Sequence, residues 1–442
     1  MAKFGTSGMR GKFGEEITAG LAIRLGQAVV TRKGMRVAVG RDSRATGPLL
    51  EQALISGILS AGGIALRAGI VPTPTLALAV RNHADFGVMI TASHNPPEYN
   101  GFKLLGKEGE AGKEVEERIE KAVGKEMKVA DWQNIGESVR LDGVVREHMD
   151  LVLKLVDVPL IRRKAPKVVV DCGNGAACSI MPALLKEAGC KVVAVNAEPS
   201  GQFARGLEPN EENLAEAAKL VKAVGADLGI AHDGDADRAI AIDERGELLG
   251  LDAQLALICG EELAKRKGTV VSTIEASLAV KEAVESNGGK LVVTKVGSLH
   301  VAREMRKLGA VFGGEPCGEY IFTGGVPMPD GMLAGLRLVE LFCRKGKLSA
   351  LKAKVKTYPI KRARFESKDK EAAMRKIAPE VRKAFKGKFF EEDGVRVDFE
   401  GGWVLVRASG TEPIVRITAE AKDERLLGGA YSKAEAIVKK YA

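Results

Sequence analysis

Residues 35–69 read MRVAVGRDSRATGPLLEQALISGILSAGGIALRAG, a pattern that is typical of an α/β fold. A β-branched apolar run is followed by a polar turn, an amphipathic helical pattern, small residues that stop the helix, and a second apolar run. The same unit recurs as KVVVDCGNGAACSIMPALLKEAGCKVVAVNA at residues 167–197 and as GTVVSTIEASLAVKEAVESNGGKLVVTKVG at residues 268–297. Strands that alternate with helices of this length predict right-handed crossovers and largely buried sheets. We therefore expect three α/β domains of similar topology.

Glycines mark the predicted helix ends of these units. Gly62, Gly189 and Gly288 each stand where a helix C-terminus commonly needs a left-handed residue. Beyond about residue 355 the sequence changes to short apolar strands and two helical patterns, which predicts a smaller α+β domain. The predicted domains are residues 1–147, 148–246, 247–355 and 356–442.

The composition is typical of a globular intracellular protein. The sequence has 442 residues, of which 45% are apolar and 28% charged, and no apolar run reaches the length that spans a bilayer. The N-terminus lacks the apolar core of a signal peptide, so we expect a cytoplasmic protein. The six cysteines include no CxxC pair, which argues against disulfides and structural zinc.

The net charge of +9 indicates an anionic partner. A basic protein suits either a nucleic-acid binder or an enzyme that acts on anionic metabolites. With 5% aromatic residues there is little to stack on bases, which favours the enzyme. We therefore expect a small anionic substrate, and neither a nucleic acid nor a membrane as partner. The oligomeric state, including a homodimer, is left open.

Residues 87–103, GVMITASHNPPEYNGFK, predict a reactive serine. An apolar strand leads into a turn that carries Ser93 and His94, and two prolines then prevent an immediate helix. In α/β domains, ligands usually bind at the carboxyl ends of strands. A turn with only local hydrogen bonds would have the same sequence pattern, so both interpretations stay open. A serine hydrolase is disfavoured, because the GxSxG elbow is absent here and a histidine beside the serine in an extended turn usually points away from it.

Residues 226–243, ADLGIAHDGDADRAIAID, predict a metal site. Asp233, Asp235 and Asp237 alternate between two strand-like runs, and carboxylates this close repel one another unless a cation lies among them. Oxygen ligands alone indicate a hard ion such as Mg²⁺, with positions left for a phosphate oxygen. An EF-hand is excluded, because Arg238 occupies the position of the required glycine and the flanks are strand-like. A solvated acidic loop is the alternative.

Two further loops carry polar groups suited to a phosphorylated ligand. Residues 407–417, RASGTEPIVRI, place a guanidinium, hydroxyls and a glycine in a turn after an apolar strand, a combination that can hold phosphate. Residues 311–322, VFGGEPCGEYIF, place Glu315, Cys317 and Glu319 in a tight turn, where carboxylates suit sugar hydroxyls. Neither loop is specific by itself, since a solvated turn would look much the same.

Together the four loops resemble the α-D-phosphohexomutase family across essentially the whole chain. TASHNPPEYNGFK is similar to the phosphoserine loop of that family, DGDADR to its metal loop, GEPCGEY to its sugar-recognition loop and RASGTEP to its phosphate-binding loop, and the opening GTSGMRG also matches. The resemblance implies three similar α/β domains and a C-terminal α+β domain of the TATA-binding-protein-like class around one central cleft.

The family resemblance implies a mutase that interconverts hexose 6-phosphates and hexose 1-phosphates through a phosphoserine and a bisphosphate intermediate. Ser93 would carry the phosphoryl group and complete a Mg²⁺ site with Asp233, Asp235 and Asp237, and a hexose bisphosphate would act as activator. The other implied roles fall into three groups: Arg10, Lys103 and Arg238 line the cleft, with Lys103 and His94 as acid-base candidates; Glu315, Cys317 and Glu319 stand in the sugar loop; and Arg407, Ser409, Gly410 and Thr411 hold the non-reacting phosphate.

Departures from the family pattern concern the sugar. Cys317 stands where many relatives carry serine, Glu319 where mannose- and glucose-acting relatives often carry histidine, and Ser298 where relatives often have aspartate or histidine. The TKVG loop and the GTSG opening look more like archaeal and bacterial phosphoglucosamine mutases. We therefore expect glucosamine phosphate as the substrate, with phosphomannomutase or phosphoglucomutase activity as the alternative and a metal-dependent phosphatase as a more distant one.

Overall fold

The structure, a computed structural model, describes residues 4–5, 8–125, 129–409 and 413–442. Its first α/β region contains β1 (Phe4–Gly5), β2 (Gly8–Lys12), α1 (Ala19–Val29), β3 (Arg36–Arg41), α2 (Gly47–Ser60), β4 (Ile64–Ile70), α3 (Thr73–His83), β5 (Phe86–Ile90), β6 (Tyr99–Gly106), β7 (Gly109–Glu110), α4 (Lys113–Val123), β8 (Ser138–Arg140) and α5 (Val144–Leu155).

The remaining elements follow in chain order. The second region contains α6 (Val158–Lys164), β9 (Lys167–Asp171), a short 3₁₀-helix (Ala176–Ser179), α7 (Met181–Ala188), β10 (Lys191–Val195), α8 (Ala215–Ala223), β11 (Leu228–Ala231) and β12 (Ile240–Ile242). The third contains α9 (Leu251–Lys265), β13 (Thr269–Thr273), α10 (Leu278–Ser286), β14 (Lys290–Thr294), α11 (Ser298–Leu308), β15 (Phe312–Gly314), β16 (Tyr320–Phe322), α12 (Gly331–Lys345) and α13 (Leu348–Lys352). The C-terminal region contains β17 (Ile360–Glu366), α14 (Lys370–Ala384), β18 (Lys388–Phe390), β19 (Val395–Phe399), β20 (Gly402–Ala408), β21 (Ile414–Ala421) and α15 (Glu424–Tyr441).

The three repeats of the sequence fold alike, which confirms the predicted α/β topology. Each gives a strand, a helix and a second strand parallel to the first, as β3-α2-β4, β9-α7-β10 and β13-α10-β14. In each case the first strand is central and pairs on its other side with another parallel strand, β5, β11 or β15. The predicted helix stops Gly62, Gly189 and Gly288 have φ of 76°, 104° and 70°, the left-handed conformation that glycine adopts without strain.

The C-terminal region is α+β, as predicted. Its strands form a five-stranded antiparallel sheet in the order β17-β21-β20-β19-β18. The helices α14 and α15 contribute the buried apolar residues Ile377, Val381, Leu427 and Val438 to the same core as the strands.

The elements group into two compact units. The first unit comprises Met1–Gln254 and Cys317–Lys352, and the second comprises Leu255–Pro316 and Ala353–Ala442. The boundaries of the four sequence-based domains, near residues 147, 246 and 355, stay predictions. Among the residues that the structure describes, no helix combines the length and the apolar character needed to cross a membrane.

In the first unit, polar residues that follow neighbouring strands lie close together. One sheet has the order β1-β2-β6-β5-β3-β4-β8, with β7 paired to β6, and the other has the order β10-β9-β11-β12. The valines and isoleucines of the central strands, such as Val39 and Ile90, are fully buried, and each such side chain contributes about 1.5–3 kcal/mol. Because β3 and β5 are parallel neighbours, the polar residues that follow Arg41 and Ile90 lie at one edge of the sheet.

The helix α12 supports the loop that follows β11. A Cβ on Gly331, the first residue of α12, would overlap the carbonyl oxygens of Ala236 and Arg238. The helix is capped by Asp330, whose Oδ1 accepts hydrogen bonds from the first turn and whose Oδ2 lies 3.0 Å from His148 Nε2. The loop after β11 is therefore packed against a rigid, buried helix start.

Candidate active site

Ser93 lies just beyond the end of β5 in the first unit. The residue is 2% exposed, and its hydroxyl donates a hydrogen bond of 2.7 Å to Asp233 Oδ2. Its backbone is left-handed, with φ of 49°, a conformation that costs energy in any residue with a Cβ. Such strain persists only where the surroundings enforce it, often at functional sites. The serine is thus held at a strained strand end, and its hydroxyl faces a carboxylate.

The position of His94 differs from the prediction. We expected its ring to point away from Ser93, but Nδ1 lies 3.3 Å from Ser93 Oγ, because the backbone at Ser93 is left-handed and the turn is not extended. Burial, together with Arg238 and Arg10, lowers the pKa of His94 to about 3, so the ring is neutral at neutral pH. The carboxylate of Glu208 faces the same Nδ1 at 3.6 Å, whereas a catalytic triad needs its carboxylate at the other ring nitrogen. The arrangement is not that of a serine hydrolase.

Asp233, Asp235 and Asp237, in the loop after β11, form a buried carboxylate cluster. One oxygen from each carboxylate lies within 4.8 Å of the others, and the residues are 0%, 0% and 3% exposed. Burial and the neighbouring carboxylates raise the pKa of Asp233 well above its ordinary value and that of Asp237 to about 6. Asp233 and Asp237 are therefore poorly satisfied unless further positive charge is supplied, whereas at Asp235 burial is outweighed by Lys103, Thr73 and Arg10, which lower its pKa.

Gly234 allows the aspartate loop, residues 233–237, to approach the serine loop, residues 91–99. A Cβ at that position would overlap the carbonyl oxygen of Ser93, so any larger residue would push the two loops apart. The neighbouring Ala236 is left-handed, with φ of 59°, which bends the chain between Asp235 and Asp237. The aspartate loop and the serine loop therefore pack closely against each other.

Lys103 supplies one positive charge to the cluster. It lies on β6, which pairs antiparallel with β5 in a register that places Lys103 opposite Met89. Its Nζ donates hydrogen bonds of 2.7 Å to Asp235 Oδ2 and to Asp237 Oδ2. Burial alone would lower the pKa of Lys103, but the two carboxylates outweigh burial and raise it, so the side chain is an ammonium.

The cluster fits a divalent cation in addition to this ammonium. Asp235 Oδ1 and Asp237 Oδ1 are buried and accept no hydrogen bond within the ranges that the structure describes. A buried oxygen without a donor costs about 1–3 kcal/mol, and a bound cation would remove that cost. Carboxylate oxygens are the ligands that Mg²⁺ prefers. The donor set therefore suits a magnesium ion.

Arg10 lies on β2 and reaches the serine loop. Its Nη1 donates a hydrogen bond of 3.0 Å to Asn95 Oδ1. Its Nε is buried and donates to no atom of the described residues. A buried guanidinium nitrogen without an acceptor is suited to an anionic ligand such as phosphate.

Arg238, directly after the aspartate cluster, contacts the sugar loop. Its Nε donates to Glu319 Oε1 at 3.2 Å and its Nη1 to Glu208 Oε1 at 3.2 Å. Burial alone would lower the pKa of Arg238, but Cys317, Glu319, Asp233 and Glu208 together outweigh burial and raise it. Two predicted sugar-loop residues thus lie beside Arg238 in the first unit. Glu208 was not predicted to lie in the site. It stands in a long irregular segment between β10 and α8 whose sequence contains no motif that indicates a function.

Glu315 belongs to the second unit, where it follows β15. The residue is 5% exposed, and its Oε2 accepts a hydrogen bond of 3.1 Å from Gly297 N. Gly297 immediately precedes Ser298, the first residue of α11. The structure therefore joins the sugar loop to the TKVG stretch, two segments that the sequence analysis treated separately.

Arg407, near the end of β20 in the second unit, is held by two carboxylates. Its Nη2 lies 3.1 Å from Glu275 Oε1, and its Nη1 donates a hydrogen bond of 3.3 Å to Asp393 Oδ2. The side chains of Glu275 and Asp393 are 34% and 27% exposed, so water screens both pairs. Arg407 Nε is buried and donates to no described residue.

The rest of the predicted phosphate loop is described only in part. Ser409 is buried, and its backbone N–H donates to Ile414 O at 2.9 Å. Gly410 and Thr411 lie outside the described residues.

Several residues of the site were missed by the sequence analysis. Thr73, at the start of α3, donates a hydrogen bond of 2.5 Å to Asp235 Oδ2. Asp42 and Arg44, which follow β3, form hydrogen bonds with Thr91 and Ser93 of the serine loop. The rule that places Ser93 at a strand end also applies to the ends of β3 and β4, so extending it to those strands would find these residues.

Profiles of one protein family match most of the chain. Those described as phosphoglucomutase/phosphomannomutase alpha/beta/alpha domains I, II and III match residues 1–130, 146–246 and 252–358. The profile of the C-terminal domain of the same family matches residues 360–429.

Similar proteins carry related names. A probable phosphoglucosamine mutase from Methanocella arvoryzae is 43% identical over 445 residues, which cover 100% of this chain and 98% of that protein. A phosphoglucomutase/phosphomannomutase from Thermococcus kodakarensis is 44% identical and covers 95% of each chain. A crystal structure of a phosphoglucomutase/phosphomannomutase family protein from Burkholderia thailandensis matches with a TM-score of 0.87 and 26% identity, over 99% of this chain and 97% of that chain.

These relatives are named as mutases or as members of a mutase family, so the phosphatase alternative has no support. The Methanocella and Thermococcus relatives each match more than 90% of the chain at an identity above 40%. The family profiles together match all four regions of the chain. The chain therefore belongs to the phosphoglucomutase/phosphomannomutase family and is a phosphohexomutase, an isomerase that transfers a phosphoryl group within its substrate.

Proposed function

We propose that the enzyme interconverts glucosamine 6-phosphate and glucosamine 1-phosphate through a phosphorylated Ser93. The observation that carries the serine mechanism is the 2.7 Å hydrogen bond from the buried Ser93 hydroxyl to Asp233, within a carboxylate cluster that suits a cation. A phosphoryl group on Ser93 Oγ would lie beside that cation, which is the arrangement that phosphoryl transfer needs.

Two phosphoryl transfers complete the proposed reaction. In the first, the bond between Ser93 Oγ and phosphorus breaks, and a bond forms between phosphorus and the free hydroxyl of a hexose monophosphate. The hydroxyl proton passes to a base, and Ser93 Oγ receives a proton. The bisphosphate then reorients, and its other phosphoryl group returns to Ser93 in the same way. A hexose bisphosphate would therefore also activate an enzyme whose serine is unphosphorylated.

Positive charge for the transferring group comes from several sources. Mg²⁺ bound by Asp233, Asp235 and Asp237, with a phosphate oxygen of phospho-Ser93, would stabilise the negative charge of that group. Lys103 holds an ammonium against the same carboxylates. Arg10 offers a buried Nε that has no acceptor among the described residues. We assign Lys103, Arg10 and Arg238 to charge neutralisation.

His94 and Lys103 remain the candidates for proton transfer. His94 Nδ1 lies 3.3 Å from Ser93 Oγ, within reach of the proton that the serine oxygen gains or loses. Lys103 approaches the same cluster from β6 and could donate to the leaving oxygen. Comparing His94→Gln with Lys103→Met would separate the two, since only the residue that carries the proton should change the pH profile of kcat.

We propose that residues of the second unit bind the non-reacting phosphate. We assign that role to Arg407, Ser409, Gly410 and Thr411. The supporting observation is that Arg407 Nε is buried with no acceptor within the described residues. The sugar itself would be read by Glu315, Cys317 and Glu319.

The choice of sugar is supported by names and not by geometry. The Methanocella relative is named for phosphoglucosamine, but the Thermococcus relative of nearly equal identity is named for glucose and mannose phosphates. Phosphomannomutase or phosphoglucomutase activity is therefore the second candidate function. All six cysteines are free, which suits a cytoplasmic enzyme in a reducing compartment.

A side-by-side assay tests the proposal. Purified enzyme is supplied with Mg²⁺, a catalytic amount of hexose bisphosphate, and glucosamine 6-phosphate, mannose 1-phosphate or glucose 1-phosphate, with turnover followed by coupled enzymes. We expect the highest kcat/KM with glucosamine 6-phosphate. Preference for a neutral hexose would replace the first candidate with the second and leave the serine mechanism intact. No turnover with any of the three would overturn the proposal.

A further inference from the structure

Arg44 is a fully buried arginine whose guanidinium faces the backbone of the serine loop. The residue is 0% exposed. Its Nε and both terminal nitrogens donate hydrogen bonds within the first unit. The acceptors are the carbonyl oxygens of Ser93 (2.8 Å), Asn95 (2.7 Å), Pro96 (2.7 Å) and Tyr99 (2.8 Å) and the carboxylate Oδ2 of Asp42 (3.0 Å).

This set of contacts uses the whole donor capacity of the side chain. A guanidinium presents its N–H groups in a fixed planar fork, whereas a lysine ammonium has fewer donors and no fixed plane. Four of the acceptors are backbone carbonyls of one short segment, residues 93–99. The charge of Arg44 is balanced by Asp42, so the arginine serves the loop and leaves no unpaired charge in the interior.

The contacts hold Ser93 from both sides. Arg44 binds the Ser93 carbonyl, while the Ser93 N–H donates a hydrogen bond of 2.8 Å to Thr91 Oγ1. Thr91 Oγ1 in turn donates to Asp42 Oδ2 at 2.6 Å, the same oxygen that pairs with Arg44. Both peptide groups of the left-handed serine are therefore tied to a single Asp42–Arg44 pair.

We propose that Arg44 is a positioning residue for phosphoryl transfer: it keeps the Ser93 backbone left-handed and so aims Oγ at the carboxylate cluster. The proposal rests on the proposed role of Ser93 as the phosphorylated residue. Without these contacts a serine would relax toward ordinary backbone angles, because φ of 49° is unfavourable for a residue with a Cβ. A displacement of the reacting oxygen of about 1 Å is enough to cost roughly 10²-fold in rate.

Arg396 in the second unit offers a matched control. It is 3% exposed, its Nε binds the carboxylate of Asp398 two residues away, and its Nη1 binds the carbonyls of Ile274 and Ala276. It thus shares the burial and partner types of Arg44 but does not touch the serine loop. Arg44→Met and Arg396→Met should lower the unfolding temperature by similar amounts.

The test compares Arg44→Met, Arg44→Lys and Arg396→Met with the wild type. We expect Arg44→Met to lower kcat by about 10²-fold and to leave KM within about twofold, because substrate contacts are not removed. Arg44→Lys should fall between Arg44→Met and wild type, and Arg396→Met should keep the wild-type kcat. Hydrogen-deuterium exchange of residues 92–99 should rise in Arg44→Met and not in Arg396→Met.

The result that would overturn the proposal is a folded Arg44→Met protein with wild-type kcat and wild-type exchange in residues 92–99. If Arg44→Met does not fold, Thr91→Val serves instead, since it removes the hydroxyl that binds the Ser93 N–H and keeps the side-chain size. The exchange measurement needs no turnover. An inactive wild type would therefore overturn the proposed function, while the exchange data would still decide the role of Arg44.

Discussion

The charged contacts around the serine loop of the first unit differ from those around Arg407 of the second unit in burial and in distance. Ser93, Lys103 and the aspartates are buried and linked by hydrogen bonds of 2.7 Å. Arg407 instead pairs at 3.1 and 3.3 Å with carboxylates that are 34% and 27% exposed. The first arrangement is shielded from water, and the second is partly open to it.

The difference matches two tasks that a mutase must perform. The group that transfers phosphate must be held accurately, since small displacements cost rate. The group that grips the non-reacting phosphate must accept and release it in every cycle. Partly exposed ion pairs contribute little free energy, so we expect that a phosphate would displace Glu275 and Asp393 from Arg407 at low cost. Changes in the first region should therefore alter kcat, and changes in the second should alter KM.

Ser93→Ala should have the largest effect. Loss of the oxygen that is proposed to accept the phosphoryl group should lower turnover by at least about 10³-fold, and the variant should gain no phosphate when incubated with hexose bisphosphate. Intact-protein mass spectrometry and the coupled assay measure both. The control is Ser272→Ala, a buried serine of the second unit that binds Gly314 O. Near-normal turnover of Ser93→Ala would rule out the serine mechanism.

Asp235→Asn should weaken Mg²⁺ binding by at least about tenfold, since even residues that only support metal ligands have effects of that size. Isothermal titration with Mg²⁺, and activity as a function of Mg²⁺ after chelator treatment, would both report the change. Asp243→Asn is the matched control, because Asp243 is also fully buried but lies outside the cluster. An unchanged titration of Asp235→Asn would remove that carboxylate from the site.

Arg407→Ala should raise KM by about tenfold or more for every phosphosugar, as expected for the loss of a charge-assisted bond to phosphate. The kcat and the order of sugar preference should not change, because the proposed ligand of Arg407 is the phosphate, whichever sugar carries it. Arg364→Ala, at an exposed position of the same sheet, should have no effect. A change in sugar preference would contradict the assigned role.

Glu275→Gln should have the smallest effect and the opposite sign. Removing one competing carboxylate should lower KM by up to about fivefold, the scale of an exposed ion pair. Added salt should reduce the difference between variant and wild type, because it screens the pair in the wild type as well. The measurement is KM at low and high ionic strength. A higher KM in the variant would show that Glu275 supports Arg407 and does not compete with phosphate.

The sequence predicted the features that depend on short segments. The three α/β repeats, the helix stops and the α+β end follow from local patterns, and the aspartates and Ser93 each lie in one continuous loop. The orientation of His94 was predicted wrongly because it depends on the φ of Ser93, which the pattern of residues around it does not determine.

The missed residues depend on contacts between distant segments. Arg44 meets the Ser93 carbonyl across 49 positions of sequence, and Thr73 meets Asp235 across 162. The positions of both residues beyond strand ends could be predicted, but their partners could not, because those partners lie far away in the sequence. The pairing of Arg407 with Glu275 is hidden for the same reason, and the roles of Gly410 and Thr411 stay predictions.

The pairing of β5 with β6 has a mechanical consequence. Ser93 lies just beyond one strand of this hairpin and Lys103 lies on the other, opposite Met89, so both residues belong to one hydrogen-bonded pair of strands. Bending elsewhere in the chain would carry the seryl oxygen and the ammonium together as one piece. In the proposed reaction, a bisphosphate would therefore present its two ends in turn to the same groups, and a single set of reactive groups would serve both halves of the cycle.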